Sequence, residues 1–134
     1  MTAVIYWSRT GNTEAMANAV AEGAGVDAVS VSDFIGGIDG YDALALGCPA
    51  MGDEVLEEDE FEPFFSGIEG SLSGKKILLF GSYDWGDGEW MRKWEDRVRA
   101  AGGVLINDEG IIANLAPTDE ILSECRELGK QLAG

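Results

Sequence analysis

The sequence predicts an α/β fold: one doubly wound sheet of five parallel strands with helices on both faces. Short apolar runs alternate with longer amphipathic stretches along the chain, which is typical of successive strand–helix units. Right-handed crossovers then give the sheet order 2-1-3-4-5. The chain has 134 residues, so we expect a single domain over residues 1–134. The predicted strands are the runs at 3–7, 26–31, 43–47, 77–80 and 104–106.

Four helices are predicted from apolar residues at helical spacing. The face of the first is Ala15, Met16, Ala19 and Val20. The second is short and contains Pro63, and its face is Phe61, Phe64, Phe65 and Ile68. The face of the third is Trp90, Met91, Trp94, Val98 and Ala101. The last begins after Pro117 with Thr118 as its N-cap. It buries Ile121, Leu122, Cys125, Leu128 and Leu132.

The composition excludes several classes of protein. The formal net charge is −16, and residues 10–74 contain no lysine or arginine, which excludes nucleic acid as a partner. The same charge favours encounter with basic surfaces. A solubilising surface or an adaptation to salt is the alternative explanation.

The two cysteines and the apolar runs indicate an intracellular protein. Histidine is absent, and Cys48 and Cys125 are far apart, so we expect packed thiols and no disulfide or metal site. No apolar run has membrane-spanning length, and the N-terminus has a strand pattern rather than a signal peptide. We therefore expect a soluble, cytoplasmic protein.

The segment after the first strand has the composition of an anion site. It reads Ser8-Arg9-Thr10-Gly11-Asn12-Thr13 and opens the first helical pattern, where hydroxyls, an amide and free backbone N–H groups can surround a phosphate. It lacks the Gly-Lys-Ser/Thr of nucleotide-hydrolysing loops and the Gly-x-Gly-x-x-Gly of dinucleotide sites. The segment therefore fits a ligand with one terminal phosphate better than a nucleoside triphosphate or a dinucleotide. Ordinary helix-capping chemistry is the alternative.

Two further loops should converge on this segment, because ligands bind at the carboxyl ends of strands at a topological switch point. They read Cys48-Pro49-Ala50-Met51-Gly52-Asp53-Glu54 and Ser82-Tyr83-Asp84-Trp85-Gly86-Asp87-Gly88. Met51 and Trp85 can enclose a planar ligand, which indicates a ring attached to a single phosphate. The Tyr83 side chain has two alternative roles, packing in the fold or contact with the ligand. Asn114, after the final strand, reaches a ligand hydroxyl or stabilises a turn.

These three motifs closely resemble those of the short-chain flavodoxins of clostridial-type anaerobic bacteria, in the correct order and over nearly the whole chain. The resemblance implies a flavodoxin-like fold and a non-covalently bound FMN. It implies an electron-transfer protein rather than an enzyme: a low-potential one-electron carrier that shuttles between semiquinone and hydroquinone. An FMN-dependent NAD(P)H:quinone oxidoreductase is the alternative. A cofactor-free signalling receiver would need an acidic cluster and a lysine where this chain has Ser8 and Asn107.

The resemblance also implies roles for individual residues. Residues 8–13 would hold the phosphate, while Met51 and Trp85 would cover the inner and outer faces of the isoalloxazine. Glu54 would bond the ring N3 region, and N–H groups of residues 84–86 the N1/O2 edge. The Gly52–Asp53 peptide would turn over on reduction, so that the Gly52 carbonyl accepts the N5 proton. The cofactor-binding set is Ser8, Arg9, Thr10, Gly11, Asn12, Thr13, Pro49, Ala50, Met51, Gly52, Asp53, Glu54, Ser82, Tyr83, Asp84, Trp85, Gly86 and Asn114.

Two positions depart from the family pattern, which often has glycine at both. We expect Arg9 to serve the phosphate through its backbone while its side chain points outward. Asp84 adds a carboxylate close to the ring. The expected partners are redox proteins, low-potential donors and acceptors, that meet a monomer at an acidic rim over residues 53–62, without nucleic acid or membrane.

Overall fold

The computed structural model of the protein describes all residues from 1 to 134. Ten elements follow one another along the chain: β1 (Thr2–Tyr6), α1 (Asn12–Ala24), β2 (Ala28–Ser30), β3 (Ala43–Gly47), α2 (Phe61–Glu69), β4 (Lys76–Tyr83), α3 (Glu89–Ala100), β5 (Val104–Leu105), β6 (Ile111–Asn114) and α4 (Asp119–Ala133). None of the helices combines the length and the apolar character that crossing a membrane requires.

The sheet confirms the predicted fold class. All strand pairs are parallel, in the order β2-β1-β3-β4-β5, and β6 also pairs with β4. The fifth position of the sheet is therefore shared by two short strands: β5 pairs with the start of β4 and β6 with its end. Helices cover both faces of this sheet in two separate clusters of buried side chains.

The prediction of one strand at 104–106 was wrong in extent. The strand stops at Leu105 and resumes at Ile111, after a polar stretch that contains no strand signal of its own. Within that interruption, the Gly110 N–H donates to the buried Glu95 carboxylate at 2.7 Å. Strand β4 is also longer than predicted, so that Ser82 and Tyr83 lie in the strand rather than in the loop after it.

Helices α1 and α4 pack on one face of the sheet with very little space between their backbones. A Cβ on Gly23 would overlap the Arg126 carbonyl, and one on Gly129 would overlap the Val20 carbonyl. Thr118 caps α4 as predicted, because its hydroxyl accepts the Ile121 N–H at 3.2 Å. Cys125 is fully buried on this face, and burial raises its pKa to about 12, as expected of a packed thiol.

Helices α2 and α3 pack on the opposite face around two buried tryptophans, Trp90 and Trp94. Arg97 of α3 reaches α2, where it bonds Glu62 at 2.7 Å and Glu69 at 3.0 Å and lies over the Phe65 ring. The bond from Arg97 holds the pKa of Glu62 below its ordinary value. Pro63 is tolerated because it lies in the first turn of α2, where its missing N–H breaks no helical hydrogen bond.

Replacement of Gly129 by alanine should therefore destabilise the fold by about 1–3 kcal/mol, because the added methyl group forces α4 away from α1. The matched control is Gly67→Ala in α2, where a Cβ meets no atom within 4 Å and alanine should stabilise by about 0.5–1 kcal/mol. Urea unfolding midpoints of the two variants measure the difference. Equal stabilities would contradict the close contact.

Candidate functional site

A cavity of about 250 Å³ opens at the carboxyl ends of β1, β3 and β4. The topology places it at the switch point, because the chain runs from β1 to β2 on one side and returns to β3 on the other. The residues that line it come from all three predicted loops: Ser8, Arg9, Thr10, Thr13, Pro49, Ala50, Met51, Gly52, Glu54, Ser82, Asp84 and Trp85. The other predicted residues are not in the cavity wall. Five of them are next to wall residues in the sequence: Gly11, Asn12, Asp53, Tyr83 and Gly86. Asn114 is distant in the sequence and bonds the carbonyls of Tyr83 and Asp84.

The first loop presents backbone donors at the start of α1. Gly11 adopts a positive φ of 94° that turns the chain into the helix. The Ser8 hydroxyl accepts the N–H groups of Gly11 and Glu14, both at 3.2 Å, and so provides part of the capping. The N–H groups of Thr10, Asn12 and Thr13 have no acceptor within the protein. Free amides at a helix N-terminus fit a phosphate well.

Thr13 links this loop to β4. Its side chain is buried and bonds the Ser82 hydroxyl at 3.0 Å, while the Ser82 N–H donates to the Thr13 oxygen at 3.3 Å. Because the amide already supplies a donor to Thr13 Oγ1, the Thr13 hydroxyl proton can point to Ser82 or to a phosphate. This pair holds the phosphate end of the cavity rigid.

The second loop forms a tight hairpin that packs against β4. Met51 and Val55 exchange backbone hydrogen bonds at 2.9 and 3.0 Å, and the Ala50 N–H donates to the Ser82 carbonyl at 3.0 Å. The turn between Met51 and Val55 contains two positive φ angles, 47° at Gly52 and 56° at Glu54. Positive φ at Glu54 is a strained conformation that its side-chain contacts compensate.

Glu54 joins the second and third loops. Its side chain is buried, and Oε1 accepts the N–H groups of Gly88 and Glu89 at 3.2 and 3.1 Å. Helix α3 has a glycine at its N-cap and no side-chain cap of its own, so the Glu54 carboxylate serves in its place. Oε2 accepts no hydrogen bond within the protein and is available to a ligand donor. A Cβ on Gly86 would lie 2.5 Å from Oε1, so only glycine fits there.

The capping role of Glu54 was missed by the sequence analysis. The only available signal was Gly88 immediately before the third helical pattern, a helix start without an acceptor side chain. Such a start requires an acceptor from elsewhere in the chain, but the residue that supplies it is 34 positions away and cannot be read from local spacing.

Trp85 and Met51 both line the cavity but differ in their exposure to solvent. Trp85 is 62 % exposed, whereas Met51 is half-buried in the hairpin. A large aromatic side chain left in solvent beside a cavity provides a flat surface for a planar ligand. The cavity therefore has polar donors at one end and one aromatic and one thioether side chain at the other.

Tyr83 and Asn114 stabilise the third loop through contacts outside the cavity wall. Tyr83 packs against Trp90 with ring centroids 5.7 Å apart. Asn114 is the last residue of β6, opposite Tyr83, and its amide donates to the carbonyls of Tyr83 and Asp84 at 3.3 Å. Asn114 thus stabilises the turn that carries Asp84 and Trp85.

The second and third loops and the segment that leads into α2 contain many acidic side chains, but not all of them are exposed or unpaired. The exposed ones are Asp53, Glu58, Asp59, Glu60, Asp84 and Asp87. Glu57 is buried and caps α2 by accepting the N–H groups of Glu60 and Phe61 at 2.8 Å. Glu62 is paired with Arg97, and Asp87 with Arg92 at 3.0 Å.

Comparison with known proteins places this arrangement in one family. The family described as flavodoxin matches residues 4–129. The flavodoxin of Clostridium beijerinckii is 48% identical over 97% of this chain and 97% of its own length, and that of Megasphaera elsdenii is 45% identical over 99% and 98%.

Solved structures agree with the sequence relatives. The two-electron reduced Megasphaera elsdenii flavodoxin superposes with a TM-score of 0.83 and 42% identity, over 99% of this chain and 98% of that one. A flavodoxin from the domain Archaea superposes with a TM-score of 0.84 and 30% identity, over 99% and 96%. With the family match over most of the chain and relatives that agree along its whole length, this protein belongs to the flavodoxin family.

Proposed function

We propose that the chain is a low-potential one-electron carrier whose three loops hold FMN in the cavity at the carboxyl ends of β1, β3 and β4. Flavodoxins are FMN-binding electron carriers, and the close curated relatives favour this function over the NAD(P)H:quinone oxidoreductase alternative. The observation that supports the proposal most strongly is the juxtaposition of free amides, aromatic ring and thioether around one cavity. Bound FMN supplies a ring that exchanges single electrons.

The phosphate end of the site is assigned to the first loop. The unpaired N–H groups of Thr10, Asn12 and Thr13 would donate to phosphate oxygens, and the hydroxyl of Thr10 would add a further donor. Thr10 is exposed and has no hydrogen-bond partner in the protein, whereas Thr13 is buried against Ser82. The two threonines thus differ in their structural roles, although both face the same ligand group.

The ring end is assigned to the second and third loops. Met51 and Trp85 would cover the two faces of the ring, and Glu54 Oε2 would accept its imide N–H. The amides at Glu54 Oε1 keep that carboxylate in position before any ligand arrives. Gly52 would offer its carbonyl to the proton at N5, because it lies at the turn of the hairpin in the cavity wall.

The surrounding carboxylates would lower the potential at which the ring accepts its second electron. At an effective dielectric constant of 20 to 80, a carboxylate about 10 Å from the ring disfavours one negative charge by roughly 0.4–1.7 kcal/mol. This corresponds to about 20–70 mV for each carboxylate before salt screening. Asp53, Glu54 and Asp84 lie close enough to the cavity to contribute in this way.

Replacement of Thr10 by alanine should weaken FMN binding by about 1–2 kcal/mol, toward the low end for a hydrogen bond to a charged group because Thr10 is exposed to solvent. The wild-type protein should prefer FMN to riboflavin, and this variant should lose part of that preference. Titration of the apoprotein with each flavin, followed by quenching of flavin fluorescence, measures both. Ser123→Ala, which removes an exposed hydroxyl on α4, is the control. If riboflavin binds the wild type as tightly as FMN, the phosphate assignment fails.

Replacement of Gly52 by alanine should lower the first one-electron potential by about 40–85 mV. Gly52 has a positive φ, which we assign to the turn whose carbonyl would face N5 after reduction. A residue with a Cβ resists this φ by roughly 1–2 kcal/mol, and 1.4 kcal/mol corresponds to about 59 mV. No atom lies within 4 Å of the added Cβ, so steric overlap does not complicate the result. An anaerobic redox titration gives the potential, with FMN affinity in the oxidised state as the control. An unchanged first potential would limit Gly52 to a role as a tight turn.

Redox proteins with basic surfaces are the partners that this surface would attract, through a small and transient interface around the cavity mouth. Exposed carboxylates of the proposed acidic rim over residues 53–62, such as Glu58 and Asp59, form no ion pair within the protein. We expect a monomer, because a carrier that meets several partners in turn needs this face free. We also expect it to act in the cytoplasm.

Electron transfer to a basic redox protein should therefore slow as ionic strength rises. The double variant Glu58→Gln/Asp59→Asn should react about three- to tenfold more slowly than wild type at low salt, and the difference should vanish near 0.5 M salt. Stopped-flow rate constants measure this effect. The control, Glu124→Gln/Glu127→Gln, removes the same charge from α4. If both double variants react equally fast, net charge rather than the mouth governs encounter.

A further inference from the structure

Arg9 is the one arginine of this chain without a carboxylate partner. The other four each pair with an acidic side chain: Arg92 with Asp87, Arg97 with Glu62, Arg99 with Asp96 and Arg126 with Glu22. In a chain with 25 acidic residues, an unpaired guanidinium is exceptional. Arg9 is also the only lysine or arginine among the first 74 residues.

Arg9 lies beside two hollows, and the hydrogen bonds of the groups around it indicate which one its charge can serve. Arg9 lies in the wall of the FMN cavity, between Ser8 and Thr10, and also in the wall of a neighbouring hollow. The carboxylates of that hollow already have neutral donors. Glu14 accepts the Tyr6 hydroxyl at 2.9 Å, and Glu60 accepts the Trp7 indole N–H at 3.3 Å.

We propose that, in place of the outward-pointing side chain expected from the sequence, the Arg9 guanidinium is a direct ligand of the FMN phosphate in this protein and strengthens its preference for a phosphorylated flavin. The inference rests on the proposed function and goes beyond it, because the loop otherwise offers only amides and hydroxyls. Those donors supply hydrogen bonds but no charge. The phosphate carries close to two negative charges at neutral pH and enters a protein of net charge −16, so one cation at the loop offsets repulsion that neutral donors cannot.

The chemistry of arginine suits this role. Its planar fork can donate two parallel hydrogen bonds to phosphate oxygens, which is stronger than a contact with a neutral donor. The side chain is exposed, so the attraction is screened by dissolved salt. The preference for FMN over riboflavin should therefore depend on ionic strength in the wild-type protein and lose most of that dependence without Arg9.

The test compares flavin affinities of apoproteins. FMN and riboflavin are titrated into wild type, Arg9→Gln, Arg9→Lys and Lys130→Gln at low salt and at about 0.5 M sodium chloride. Lys130 is exposed near the end of α4 and has no ion pair, so its variant makes the same change in net charge away from the loop. Thermal unfolding of each apoprotein checks that the variants fold alike.

Arg9→Gln should bind FMN about tenfold more weakly than wild type at low salt and within about threefold at high salt. Riboflavin binding should stay within about twofold in every variant. Arg9→Lys should recover only part of the FMN affinity, because lysine keeps the charge but lacks the planar fork. Equal FMN affinities of Arg9→Gln and Lys130→Gln would overturn the proposal, and so would an equal loss for both flavins. A wild type that does not distinguish FMN from riboflavin would instead overturn the assignment of the phosphate loop itself.

Discussion

The parallel pairing of β1 with β3 and of β3 with β4 is the constraint on which the site depends. Parallel neighbours bring their carboxyl ends to the same edge of the sheet, so residues from three distant parts of the chain meet around one cavity. The pairing alone does not position the loops closely enough to hold a ligand. Contacts between the loops hold them against one another around the cavity: Thr13 with Ser82, Ala50 with Ser82, and Glu54 with the start of α3.

Buried carboxylates have a structural role in this acidic protein. Glu54, Glu57 and Glu95 are each nearly inaccessible to solvent, and each accepts backbone N–H groups: Glu54 at the start of α3, Glu57 at the start of α2, and Glu95 at Gly110. A hydrogen bond to a charged group contributes about 1.5–3 kcal/mol, so these contacts fix the position of each buried side chain. Part of the negative charge therefore stabilises helix starts and a loop within the fold, and other carboxylates remain exposed to solvent.

The same division of charge links the fold to the proposed function. Carboxylates near the ring would oppose its reduction, while exposed carboxylates farther out would attract basic partners. Against this background one unpaired cation, Arg9, lies at the phosphate end of the cavity. The two ends of the ligand would thus meet opposite electrostatic environments: negative around the ring and locally positive around the phosphate.

The sequence by itself determined the features that depend on local pattern. Alternating apolar runs and helical faces predicted the doubly wound sheet, and Ser8 to Thr13, Met51 and Trp85 predicted the cavity that the structure contains. Each of these signals lies within a few residues of the feature it predicts. The N-cap at Thr118 is of the same kind, because its hydroxyl bonds an amide three positions away.

Only the tertiary structure decided the features that depend on long-range contacts. The division of the fifth strand into β5 and β6 follows from pairing with β4, since the polar residues between them give no strand signal. Glu54 caps a helix 34 positions away, and Thr13 meets Ser82 across 69 positions. Arg9 forms no ion pair, and the carboxylates of Glu14 and Glu60 in the hollow beside it accept hydrogen bonds from Tyr6 and Trp7. Local spacing carries no information about such partners, because they become neighbours only when the sheet and its helices pack together.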